Sequence, residues 1–243
     1  MPGDARGVTT RPPFVRSTRA AREPDLTGIV VIYRAMRQDL QRLAARLAEI
    51  TGQGAPCLQS RAIGRYTAAL FAEICRHQAD QDSILFPVLA AAAGQAVDLI
   101  PLTDDHRDIE AAIGSTNRSL AAFGANPDAV AGLLASVTRL RTMLDEHIAD
   151  EEQQILPAMT RYLPAGVYRR CEMQAQRKAS LTSLRFSASW LARYARPDEL
   201  RRIRATDRWP ARIVRTAASY HYARLERQTF GASLARHPDL QRA

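Results

Sequence analysis

The stretch HIADEEQQILP, residues 147–157, sets the reading of this chain, because it has a counterpart upstream in HQADQDSILFP, residues 77–87. Both runs begin with His, carry Ala-Asp at matching places and reach Pro ten residues after the His. They differ at the fourth place after the His, which is Glu151 in the later run and Gln81 in the earlier one. A helix turns about 100° per residue, so groups four apart share a face. His147 and Glu151 therefore project together, on the face that carries Leu140, Met143, Leu144 and Ile155. His77 and Gln81 repeat the arrangement beside Ile74, Ile84 and Leu85, and His106 with Glu110 gives a third His-x-x-x-acid pair between Leu102 and Ile113.

Outward from these runs, Ala, Leu and Arg dominate and no alternating strand pattern occurs, so the chain reads as all-α. A first helix starts near Asp25, with Ile29, Ile32, Tyr33, Met36, Leu40, Leu43 and Leu47 at helical spacing, and ends at Gly52 and Gly54. A second covers about 58–93, a third roughly 102–123, and a fourth runs from Pro127 to about Leu163. Long helices with short connections predict an antiparallel four-helix bundle. Beyond Leu163-Pro164 the pattern predicts one long helix to about Ala195, then shorter ones near 198–207 and 210–230. Trp190, Tyr194, Trp209 and Tyr220 are too many aromatics for a free tail, which argues for a helical appendage packed on the bundle. The expected divisions are a disordered basic arm over 1–24, the bundle over 25–163 and a basic appendage over 164–243.

The 243 residues, 46% of them hydrophobic, suffice for a sizeable core. No apolar run is long enough to span a membrane, and the N-terminal stretch lacks the apolar segment of a secretory signal. Cys57, Cys75 and Cys171 are scattered with no metal-type spacing, which suits reduced thiols and a cytoplasmic protein. The formal charge of +9 is unevenly placed: residues 1–160 hold 16 Arg against 19 acids, residues 161–243 hold 18 Lys and Arg against 6. Such a tail is either an Arg-rich solvated face or a surface for an anionic partner. With no helix-turn-helix signal visible, nucleic acid ranks last among the expected partners, and a small molecule in the bundle interior ranks first.

Imidazoles and carboxylates from several helices, aimed at one bundle axis, are what a non-haem iron or manganese centre requires. The order YRAMRQDL, HQADQDSILFP, DDHRDIE, HIADEEQQILP resembles the hemerythrin-like, or HHE cation-binding, family over residues 25–163. That resemblance implies two iron ions bridged by carboxylates, held by a His on helix one, His-x-x-x-Glu on helix two, a His on helix three and His-x-x-x-Glu on helix four. Carried over, His77, His106, His147 and Glu151 occupy ligand positions, whereas Tyr33 falls where the first His belongs and Gln81 where a bridging Glu belongs. A neutral amide is a poor bridge between two cations.

Three functions stay open on the sequence. One is a mononuclear iron site of His77, His106, His147 and Glu151, with Glu110 or Tyr33 as further ligands, serving oxygen-dependent chemistry or sensing. Another is a metal-free enzyme in which Glu151 is the general acid/base and Tyr33 and Gln81 donate hydrogen bonds to an organic substrate. The last is a non-catalytic regulatory or interaction protein.

Overall fold

A computed structural model describes residues 23–52, 57–206 and 211–234. The basic arm expected over 1–24 lies, up to residue 22, outside the described residues, as do Trp209 and the last nine residues.

All the regular structure described is helical. Helix α1 spans Thr27–Ile50, α2 Cys57–Asp80, α3 Phe86–Ala93, α4 Ile100–Ala125, α5 Val130–Asp150 and α6 Leu156–Tyr162. Helix α1 buries Ile29, Met36, Leu40, Leu43 and Leu47 along one stripe and stops at Thr51, just before Gly52 turns the chain at φ 82°. Gly94, at φ 58°, likewise closes α3. Helices α1 and α4 both pack along α5, and α2 packs along α4, around a core that includes Leu70, Ile74, Ile109, Val137, Leu140 and Leu144. The expected four-helix bundle is therefore present.

Two joints were not foreseen. Gln81–Leu85 between α2 and α3, and Glu151–Ile155 between α5 and α6, are π-helical turns. In each the closing backbone bond spans five residues, Phe86 N–H to Gln81 C=O and Leu156 N–H to Glu151 C=O. The prolines explain them. Pro87 and Pro157 have no N–H to give the carbonyl four residues back, so the helix widens by one residue there instead of breaking.

The segment expected as one helix to Ala195 is two, α7 (Ala165–Lys178) and α8 (Leu181–Tyr194). Ser180 divides them, its hydroxyl accepting from Ser183 N–H as an N-cap and so starting a new helix. Helix α9 (Pro197–Thr206) and α10 (Ala211–Leu234) follow.

Helices α1 and α2 touch each other little, and α8 and α10 pack into that seam. Polar groups secure it. Asp39 on α1, fully buried, accepts from Tyr66 Oη and Trp190 Nε1, each at 2.6 Å, from Arg42 at 2.9 Å, and from Tyr194 Oη. Tyr222 of α10 reaches Tyr66 at 3.0 Å, and Glu226 of α10 receives Arg42 at 2.9 Å and Arg193 at 2.6 Å. A buried carboxylate is tolerated when donors surround it, and here two of the four, Trp190 and Tyr194, come from the appendage. Helix α9 is tied separately, by the two-pronged pair of Arg34 with Glu199 at 2.7 and 2.9 Å.

Candidate metal centre

The two π-helical turns position the inward polar groups. They place Gln81 and Glu151 at corresponding depths in the bundle, facing each other, with Gln81 Nε2 donating to Glu151 Oε1. Glu151 is fully buried and Gln81 nearly so. His147 lies one turn before Glu151, its Nε2 3.6 Å from Glu151 Oε2. From α4, His106 brings its Nε2 to 3.1 Å from His147 Nε2. One ligand atom from each of His106, His147 and Glu151 lies within 4.8 Å of the others, and all three residues are buried.

The far side of each imidazole is held by a carboxylate. Asp82 Oδ1 is 2.8 Å from His106 Nδ1, and Asp105 Oδ2 is 3.3 Å from His147 Nδ1. When Nδ1 carries the proton that meets its carboxylate, Nε2 presents a lone pair. Both rings then aim lone pairs into the same space. Neither aspartate was singled out from sequence. The signal was there, since Asp82 follows Gln81 and Asp105 precedes His106, but second partners of a histidine lie on neighbouring helices and have no fixed spacing.

Tyr33 and His77 complete the wall. Their rings meet edge to face with centroids 5.7 Å apart. His77 Nε2, the Tyr33 hydroxyl, Gln81 Oε1 and Glu151 Oε2 are buried without a well-formed hydrogen bond. Such orphaned groups are rare inside proteins, and three of these residues, Tyr33, Gln81 and Glu151, lie against one another, which marks a place able to receive something. Among the histidines, His77 stands outside the close group of three ligand atoms. Glu110 does not join them at all: it is exposed on α4, near Cys75, so the expectation that it could replace a lost ligand is corrected. The helical face that buries His106 turns Glu110 outward, because α4 packs through Leu102, Ile109 and Ile113.

Burial dominates the electrostatics. It holds the His77 imidazole down at about 3, with Arg76, His106 and His147 adding to the shift. It also lowers His106 and His147, against the opposing pull of Asp82 and Asp105. Burial pushes Glu151 up to about 7, opposed by hydrogen bonding from Tyr33 and Gln81. The Tyr33 phenol is raised well above its ordinary value by burial and by Glu151. The interior thus favours neutral ligands and one carboxylate poised near neutrality.

This arrangement coincides with a known pattern: the hemerythrin HHE cation-binding domain matches residues 31–159. The chain belongs to the hemerythrin HHE family. No curated protein and no solved structure matches it. The match takes in Tyr33, His77, Gln81, His106, His147 and Glu151 and ends before α7. In this hemerythrin-type bundle, then, His106, His147 and Glu151 form a group able to hold a cation. Two surface depressions, of about 320 and 430 Å³, are lined by residues such as Pro157, Arg161 and Tyr162 in one case and Arg37, Gln41 and Arg141 in the other. Neither is lined by the inward histidines.

Proposed function

We propose that the bundle is a single-cation protein, with iron as the metal, serving oxygen-dependent chemistry or sensing. The observation that carries this reading is the 3.1 Å approach of His106 Nε2 to His147 Nε2. With each ring neutral and each Nδ1 proton turned to its aspartate, the two lone pairs repel unless something positive lies between them. The spacing is shorter than two metal–nitrogen bonds of about 2.1 Å, so one cation can touch both. His106, His147 and Glu151 would hold it, a two-His, one-carboxylate donor set that suits non-haem iron and leaves positions open. The Tyr33 hydroxyl lies against Glu151 and Gln81, and the His77 ring, whose Nε2 is buried without a hydrogen bond, packs on Tyr33.

Bound iron would supply an electron and a coordination position for oxygen. The chain's own groups do the rest. Asp82 and Asp105 fix the ring orientations of His106 and His147. Gln81 clamps Glu151 Oε1 and leaves Oε2 for the cation. Its amide brings no charge, so only one carboxylate lies at the centre, which fits one cation and not two. The three-carbon side chain of Gln81 thus keeps the shape of the family's bridging group while removing its charge. A cytoplasmic setting suits the thiols of Cys75 and Cys171, which are free.

A second reading, a metal-free enzyme acting on a small organic substrate, draws support from Glu151 alone. A carboxyl group near 7 is matched to general acid/base work, with Tyr33 and Gln81 beside it. The two separate cleanly. Iron-loaded protein should consume dioxygen or change its visible spectrum on exposure to it, and His147→Ala, which leaves Glu151 in place, should abolish the response. A response that persists in His147→Ala, or in protein stripped by a chelator, refutes the metal reading.

A further inference from the structure

The appendage leaves a basic surface that the bundle's chemistry does not use. Helix α10 lies between α2 and α8. On the outside of this layer, Arg61 and Arg65 of α2, Arg185 of α8, and Arg224 and Arg227 of α10 are all exposed. Among the described residues, none of these five forms an ion pair with a carboxylate; Arg65 instead reaches Gln228 of α10 at 3.5 Å, which brings the α2 and α10 arginines onto one face.

An ordinary solvated helix face interleaves acids with its arginines at three- and four-residue spacing. Here the acids are withdrawn. Residues 57–72 of α2 and all of α8 contain none, and α10 contains only Glu226. Glu226 points inward and is 6% exposed, taken up by Arg42 and Arg193, while Glu73, the next acid on α2, is 2% exposed and receives Arg76, Ser183 and Ser187. On α2, α8 and α10, therefore, the neighbouring carboxylates of Glu73 and Glu226 lie inside while these five guanidinium groups lie outside. The exposed acids lie elsewhere, with Asp104, Asp108, Glu110, Glu146 and Asp150 on α4 and α5.

Tyr220 adds to this face. It is 68% exposed and precedes Arg224 and Arg227 by four and seven residues, so all three share one side of α10. The apolar side of the helix, Tyr222, Leu225 and Phe230, is already committed against the bundle core. Among the described side chains of α10, residues 219–231, no apolar stripe is left to sink into a lipid bilayer, which disfavours a membrane. Guanidinium forks paired with an open aromatic ring suit phosphates and the faces of bases.

We propose that the α2–α10–α8 face binds the phosphate backbone of nucleic acid, independently of base sequence. No helix-turn-helix is needed, because phosphate contacts carry no base readout. This surface is separate from the metal centre and does not rest on it.

The test is the full-length protein with a fluorescent 20-base-pair duplex, followed by anisotropy across salt concentrations. Four or five phosphate contacts, at a slope of about −0.9 each, should cost about 150- to 500-fold in affinity between 50 and 200 mM salt. The double variant Arg224→Ala, Arg227→Ala should reduce the magnitude of that slope by about 2. Arg224→Lys with Arg227→Lys should restore most of it, which excludes a folding defect. Tyr220→Ala should weaken a single-stranded oligonucleotide while leaving the duplex slope unchanged. The proposal is overturned by absence of duplex binding at 50 mM salt. It is equally overturned by an unchanged slope in the double alanine variant, or by binding to phosphatidylserine vesicles with none to either oligonucleotide.

Discussion

Replacing Asp39 with alanine tests how the appendage is held. The carboxylate is 0% exposed and is the common acceptor for Tyr66, Trp190, Tyr194 and Arg42. A hydrogen bond to a charged group contributes about 1.5–3 kcal/mol, but four on one carboxylate are not additive, and the buried charge has its own desolvation cost. Removing one partner of a buried charged network typically costs about 3–5 kcal/mol. Arg42 keeps Glu226 at 2.9 Å, which leaves its positive charge compensated and places the expected loss near the middle of that range, about 4 kcal/mol. For a chain of this size that is a fall in melting temperature of about 8–16 °C. Guanidinium denaturation followed by far-ultraviolet circular dichroism gives the free energy, and indole fluorescence reports release of Trp190. Asp39→Asn should fall between, since its amide keeps one acceptor but turns a donor towards the hydroxyl and indole donors. A loss below about 1 kcal/mol for Asp39→Ala, with Trp190 emission unchanged, would refute the role given to this carboxylate.

Three further outcomes are expected. Truncation after Leu163 uncovers Asp39 and Tyr66 in the α1–α2 seam and should give an aggregating or far less stable protein, checked by size-exclusion chromatography and thermal melting. Glu199 is held down at about 2, chiefly by hydrogen bonding from Arg34, below its ordinary 4.5. A depressed carboxyl contributes stability that is present above pH 4.5 and lost as pH falls towards 2. Glu199→Gln should therefore flatten the melting temperature across that window, and an unchanged acid slope would contradict the pairing. Tyr33→His combined with Gln81→Glu restores an imidazole and a second carboxylate at the centre; iron content measured by mass spectrometry should then rise from one towards two per chain.

Much of this was legible in the sequence, for a simple reason. The apolar positions of α1, α4 and α5 recur at helical spacing along nearly the whole of each helix, so the bundle and the inward direction of His106, His147 and Glu151 follow from periodicity. Periodicity also misled at Glu110, because four-residue spacing says which residues share a face but not how wide the buried face is. On α4 that face admits His106 and excludes Glu110. The π-helical turns were hidden because their cause, a proline N–H that is missing, usually signals a helix end, and here the bundle's packing carries the helix through Pro87 and Pro157. The break before α8 turned on the single hydroxyl of Ser180, too local to alter the apolar pattern. Asp39 was invisible as a docking point, since a lone acid inside a helical stripe looks like a surface residue until its donors from α8 are in place.

The cation proposed to lie between His106, His147 and Glu151 can be counted. Anaerobic titration of chelator-stripped protein with ferrous iron, with bound metal measured after gel filtration, does so most directly. Saturation is expected at one iron per chain, abolished by His147→Ala and by Glu151→Ala in folded protein. Saturation at two, or no retained iron in the wild-type chain, would contradict the single-cation proposal.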